Sequence, residues 1–249
     1  MKLFTAISLC NLLICSVEFA NEKSLVYGES TSGKEKSIDK TLNEIDRLLG
    51  KTDINFESKS LAPNLDNPQE LENVIKQAVD MSKLTEEIIG NDKLIKLNNI
   101  PFSGWAKGSA NGKNGLLQFR FGKADGQSMF WYKNGQRSAW VEMKNNQPHG
   151  IILGWHKNGA MALKGEMKNG FLEGLCIMWY ENGQKENESF YTDKKLEKII
   201  VWKPNGEKCG VTNVVAGNGI SVAYSSNNQE SEMIVYKAGK EIRKEKIDN

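Results

Sequence analysis

The sequence predicts a mainly β protein: a single-layer antiparallel meander of stacked β-hairpin repeats with a 22–24-residue period, preceded by an N-terminal α-helical region. Three observations predict it. Nearly the same seven letters recur as FWYKNGQ at Phe130–Gln136, GWHKNGA at Gly154–Ala160 and MWYENGQ at Met178–Gln184. Five of the eight Asn-Gly pairs place their glycines at Gly112, Gly135, Gly159, Gly183 and Gly206, with spacings of 23, 24, 24 and 23. Apolar residues alternate on either side of these pairs, as in a half-buried strand. A fixed period of this length marks a repeat array.

Taken in chain order, residues 1–20 read as a secretory signal peptide. Lys2 supplies the basic start, an apolar stretch runs from Leu3 to about Val17, and small residues follow. Cleavage is expected after Ala20, with Ser16 as the alternative. The chain is therefore expected to be exported (periplasmic, at the cell surface or secreted). Lipoprotein anchoring is not expected, because bulky Ile14 and Leu9 precede Cys15 and Cys10. No later stretch approaches the ~20 apolar residues of a membrane-spanning helix. Residues 21–65 read as a polar linker, with a short amphipathic helix where Ile38, Leu42, Ile45 and Leu49 recur at helical spacing.

Residues 66–97 carry the strongest helix signals, and the helix is expected over 68–89. Asn67 suits the N-cap, Pro68 the first helical position and Glu70 a capping box. Leu71, Val74, Ala78, Met81 and Ile88 line one face, and Gly90 supplies a stop. This helix is expected to pack on the sheet or on its first edge, since a single layer must cover its apolar face.

Residues 98–249 form the repeat domain. Asn-Gly accepts positive φ at both central positions of a tight turn, so each unit reads as one hairpin with a two-residue loop. Near the C-terminus Gly219 and Asn228 mark a degenerate sixth unit. Trp131, Trp155 and Trp179 fall in one column with Met129, Leu153 and Ile177, and this reads as the apolar face. Tyr132, His156 and Tyr180 sit one strand step away and read as the outward face, with Glu142 and Glu166 as cross-strand partners of lysines. The charged last strand, KEIRKEKIDN, suits an exposed edge. Turns at Asn182-Gly183 and Asn205-Gly206 set Cys176 opposite Ser189 and Cys209 opposite Trp202. The two cysteines then stand three strands apart, roughly 14 Å at ~4.8 Å per strand, beyond the ~7 Å reach of a disulfide. Both are expected to be unpaired.

The units resemble the bacterial MORN-variant repeat. The resemblance rests on Gly126 with Trp131-Tyr132-Lys133-Asn134-Gly135, Gly150 with Trp155-His156-Lys157-Asn158-Gly159, and Gly174 with Trp179-Tyr180-Glu181-Asn182-Gly183. PFSGWAKGSANG at 101–112 is similar to the entry unit of such arrays. The likeness spans about residues 98–210 well and 211–249 poorly. It implies a binding scaffold. Proteins of this look are commonly labelled antitoxin components, and lipid binding has been proposed for related repeats. An exported chain departs from the intracellular antitoxin picture and fits an immunity-type role.

The residues do not spell an enzyme. The two histidines, His149 and His156, lack convergent partners for a metal or nucleophile. The repeated glycines end hairpins and none precedes a helix, so they form no phosphate loop. No cofactor is expected. A formal charge of +2 without a Lys/Arg block excludes a phosphate-tracking surface and hence nucleic acid. The expectation is a non-catalytic protein-interaction module with an unidentified protein partner, bound on the row of Tyr132, His156 and Tyr180. The alternative is an envelope or surface module that contacts glycan or lipid.

Overall fold

The computed structural model describes residues 63–89 and 92–247. The expected signal peptide and the 37–49 helix lie outside the described residues.

Helix α1 spans Pro68–Gln77, and its start is as the sequence predicts. Asn67 caps it, its side chain accepting from the amides of Gln69 and Glu70. Glu70 reaches back to the amide of Asn64 at 2.7 Å. The end differs from expectation. Ala78 is already extended, and the expected helical residues beyond it form β1 (Val79–Asp80), a 3-10 turn (Met81–Lys83) and β2 (Thr85–Ile89). Asp80 caps the short turn at the amide of Ser82. The segment 85–97, read as helical, is instead a hairpin of β2 and β3 (Asp92–Leu97), which also pairs with β4 (Ile100–Pro101). Thr85, Ile88, Ile89 and Ile95 are β-branched and favour the pleated surface once a partner strand is present.

Strands β5 (Gly104–Ala110), β6 (Lys113–Arg120), β7 (Lys123–Tyr132), β8 (Arg137–Lys144), β9 (Gln147–Trp155), β10 (Met161–Lys168), β11 (Phe171–Trp179), β12 (Lys185–Thr192) and β13 (Lys195–Val201) pair in sequence order. With β1 parallel on the β5 edge, they make a ten-stranded sheet. The antiparallel meander of successive hairpins is therefore the fold.

The turns at the two ends of this sheet differ. At one end lie two-residue turns with positive φ at both positions, as at Asn145 (50°) with Asn146 (67°) and Asp193 (50°) with Lys194 (66°). These loops were not read from the sequence. At the other end lie the repeated Asn-Gly pairs. There, past Asn111-Gly112, the positive φ falls on the glycine alone, 85° at Gly135. The Gly135 amide donates to the Tyr132 carbonyl, the Tyr132 amide to the Gln136 carbonyl, and Asn134 Oδ1 accepts from the Gln136 amide. The seven-letter motif is thus a longer turn closed by an asparagine side chain, not a two-residue loop. A register shift follows in each hairpin, between Phe130 and Trp131 and again between Met178 and Trp179. Bulges of this kind increase local twist.

The two faces are the reverse of the sequence reading. The main core holds Ala106, Leu117, Phe130, Ala139, Val141, Ile152, Leu163 and Cys176. That is the face of Phe130 and Tyr132, not of Trp131. Among the described residues, Met81, Leu84, Ile95 and Phe102, with half-buried Val79 and Leu97, pack onto it from outside the long strands. The indoles instead line the outer face. There α1 packs Val74 and Ala78, with Leu71 and Ile75, onto Leu116 and Met129, flanked by Trp105, Trp131 and Trp140. At β1 the chain crosses the sheet edge, leaving the outer face at Ala78 and entering the inner core at Met81.

The meander stops at β13. After Gly206 isolated bridges continue it, Trp202 with Lys208 and Lys198 with Val215. The degenerate unit forms a separate sheet of β14 (Gly219–Tyr224), β15 (Glu230–Lys237) and β16 (Lys240–Lys246). Its turn repeats the motif's hydrogen bonds, with Asn228 at φ 66° in the glycine's place. The charged strand β16 is an edge, as expected. Cys176 faces Ser189 as the register predicts, while Lys208 rather than Cys209 faces Trp202. Both thiols are buried and unpaired.

Candidate functional site

Tyr132, His156 and Tyr180 lie on the inner face, one per hairpin, each half-buried. Their polar ends are engaged. Tyr132 Oη donates to the Trp155 carbonyl at 2.7 Å, and Tyr180 Oη to the Trp202 carbonyl at 2.8 Å. His156 Nε2 lies 2.7 Å from the Trp179 carbonyl. A carbonyl only accepts, so this nitrogen carries the proton. The turn asparagines repeat the device: Asn134, Asn158 and Asn182 Nδ2 donate to the carbonyls of Lys157, Glu181 and Pro204. Each unit is therefore stapled to the next by one ring and one amide. The same geometry explains why the motif pairs an aromatic or imidazole ring with Asn-Gly.

These rungs have a measurable weight. Tyr132→Phe and Tyr180→Phe are each expected to lower stability by about 1 kcal/mol, the usual net value of such a bond. Urea denaturation of both variants checks this. Unchanged midpoints would show that the rungs carry no load.

Tyr132 and His156 come together at a hollow of about 690 Å³, and Tyr180 does not line it. Ser138, Ala139, Ile152, Gly154 and Leu163 complete the inner wall, and Lys113, Lys133 and Lys157 stand around its mouth. The Lys113 ammonium lies 5.2 Å from the centre of the Tyr132 ring. Ser138 is 1% exposed, and its hydroxyl has no hydrogen-bond partner. One unit further on, Glu186 occupies the position that Ser138 and Ala162 hold in their own units. Burial pushes the Glu186 carboxyl above the usual range, and the neighbouring His156 opposes that rise. Burial, then Glu186, pushes the Tyr180 phenol up in turn.

Sequence reasoning missed Ser138, Gly154 and Ala162. The signal was present in the columns: Phe130, Gly154 and Met178 are equivalent, so Gly154 removes a side chain that both neighbours keep. Glu142 is also not a lysine partner; its Oε2 accepts from the amide of Ile151 at 2.9 Å, across the bulge at Gly150.

The outer face offers a second surface. Cross-strand register runs Trp140–Leu153–Lys164–Ile177–Glu188–Ile200. Trp155, Trp179 and Trp202 flank this row, all half-buried. The Lys185 ammonium sits over the Trp202 ring at 4.8 Å. Among the described residues, α1 covers only the Trp105–Trp140 end of this face.

Among the described residues no group of three His, Cys, Asp or Glu side chains is arranged to hold a metal, and no helix is long and apolar enough to cross a membrane. No protein-family model matches the chain, and no curated protein matches it significantly.

Proposed function

We propose that this chain is a non-catalytic repeat protein of the MORN-variant kind that acts as a protein-interaction module. It receives an amphipathic helix of its partner on the outer face, beside α1. One observation carries the reading. The face already accepts a helix over Leu116 and Met129, and beyond it Leu153, Trp155, Ile177 and Trp179, with Lys164 between Leu153 and Ile177, are left uncovered by the described elements. Half-exposed tryptophans in a fixed row are strong anchors for a helix laid in a groove. The Tyr132, His156 and Tyr180 row supports the module from within, since its hydrogen bonds set the spacing of the tryptophans. For an exported chain, the antitoxin look of the repeats becomes an immunity-type role.

The test places a photo-crosslinking residue at Ile177 in the full chain, in its native host, and sequences the captured peptide. The expected product is a segment of another protein with apolar residues at helical spacing, lost in the Trp155→Ser/Trp179→Ser variant. Capture of residues 37–49 of the same chain would overturn the proposal by assigning the stripe to the short helix expected in the chain's own linker. Absence of any crosslink would also overturn it.

A further inference from the structure

The hollow lies on the inner face, with Leu153 and Trp155 of the outer row also lining it, and its chemistry is more specific. We propose that it binds a small amphiphilic carboxylate: an apolar body between Tyr132 and His156, with the anion toward Lys113, Lys133 and Lys157. Its size, about 690 Å³, lies within the range of small-molecule sites. Its floor is apolar, formed by Ala139, Ile152, Gly154 and Leu163, and among the described residues no acidic side chain lines it.

Two observations fix the ligand class. The first is Ser138. A buried hydroxyl without a partner is costly, and of the two such hydroxyls among the described residues, Ser128 and Ser138, Ser138 is the one that lines the hollow. A bound carboxylate oxygen gives it an acceptor. The second is the repeat itself. In the next unit, the equivalents of Gly154 and Ala162 are Met178 and Glu186, so the chain fills that space with an apolar side chain and a carboxyl group. His156 opposes the burial-driven rise of the Glu186 carboxyl. At Gly154 and Ala162 both the apolar bulk and the carboxylate are missing, and lysines surround the opening. The ligand supplies from outside what Met178 and Glu186 supply from within.

The experiment is calorimetric titration of the full chain with sodium decanoate, and in a second arm with 2-naphthoate. The two arms distinguish a flexible apolar body from a flat one. Saturable binding of one equivalent of either is expected, with no competition from decyltrimethylammonium. Ala162→Glu, which restores the carboxylate of the next unit, is expected to weaken binding by roughly tenfold or more through like-charge repulsion. Lys133→Gln with Lys157→Gln changes only exposed side chains, so folding is not at issue, and it is expected to weaken binding roughly threefold. Lys240→Gln, an exposed change on β16 in the separate C-terminal sheet, leaves the affinity unchanged. Equal binding of the cationic amphiphile would overturn the proposal. So would affinity unaffected by both the Ala162 and the double lysine variants, or no saturable binding in either arm.

Discussion

Phe130→Ala is expected to destabilise the folded chain by about 3–5 kcal/mol, the range for truncating a large buried aromatic. Its ring is fully buried on the inner face. It lies directly over Gly115, where an added Cβ would stand 3.0 Å from the ring edge, and its other strand neighbour is Ala139. Neither neighbour has a side chain that could fill the space left behind, so the cavity term stays whole. Trp155→Ala makes the informative comparison. Trp155 is the larger residue but half-exposed on the outer face, and its removal is expected to cost about 1–2 kcal/mol, in proportion to the area it buries. Urea denaturation of the two variants measures both. If Trp155→Ala cost as much as Phe130→Ala, the main core would lie on the tryptophan face after all.

That comparison bears on why the sequence led to the wrong face. Alternation shows that residues separate into two sets, but both sets here are apolar. One contains Trp131, Trp155 and Trp179, and the other contains Phe130, Ile152, Leu163 and Cys176. Residue size favours the tryptophans as core. Tertiary packing decides otherwise: Met81, Leu84, Ile95 and Phe102 pack against the second set, while among the described residues α1 covers only one end of the tryptophan face. Those contacts come from segments far along the chain, and no seven-residue window contains them. The helix boundary failed for a related reason. Residues 78–89 keep apolar spacing compatible with a helix, yet Val79 and Asp80 find a strand edge at Ala106 and Lys107. Tertiary pairing outweighed a weak local preference.

What depended on local chemistry was legible. The Asn67 cap, the period, the positions of the motif turns and the Cys176–Ser189 register all follow from neighbours within one hairpin. The ring-to-carbonyl rungs from Tyr132, His156 and Tyr180 join adjacent units and could not be seen as bonds, only as a recurring column. The hollow was legible in principle. It requires asking which repeat position loses a side chain that the others keep, rather than which residues recur.

The second large effect is expected at Gly217, where the C-terminal sheet joins the meander. Gly217 has φ 72°, and an added Cβ would stand 2.3 Å from the Gly239 nitrogen and 2.9 Å from the Leu196 carbonyl oxygen. These are backbone atoms, which no rotamer change can move aside. The same turn donates its amide to Glu197, accepts from Gly239, and through Gly239 receives the Leu196 amide, all at 2.9–3.0 Å. Gly217→Ala therefore breaks a stack of turns and not one contact. Beyond the ~1–2 kcal/mol of left-handed backbone, it forces apart β13 and the sheet of β14–β16. Hydrogen exchange read by mass spectrometry is expected to show Leu196, Gly239 and β14–β16 exchanging roughly a hundredfold faster, with β6–β11 unchanged, because local opening follows local stability. Gly170→Ala is the control. Its φ is 83°, but nothing lies within 4 Å of the added atom, so it carries the backbone cost alone. Matching exchange in the two variants would show that the clash is relieved without undocking, and that the C-terminal sheet is held to the meander by something other than these turns.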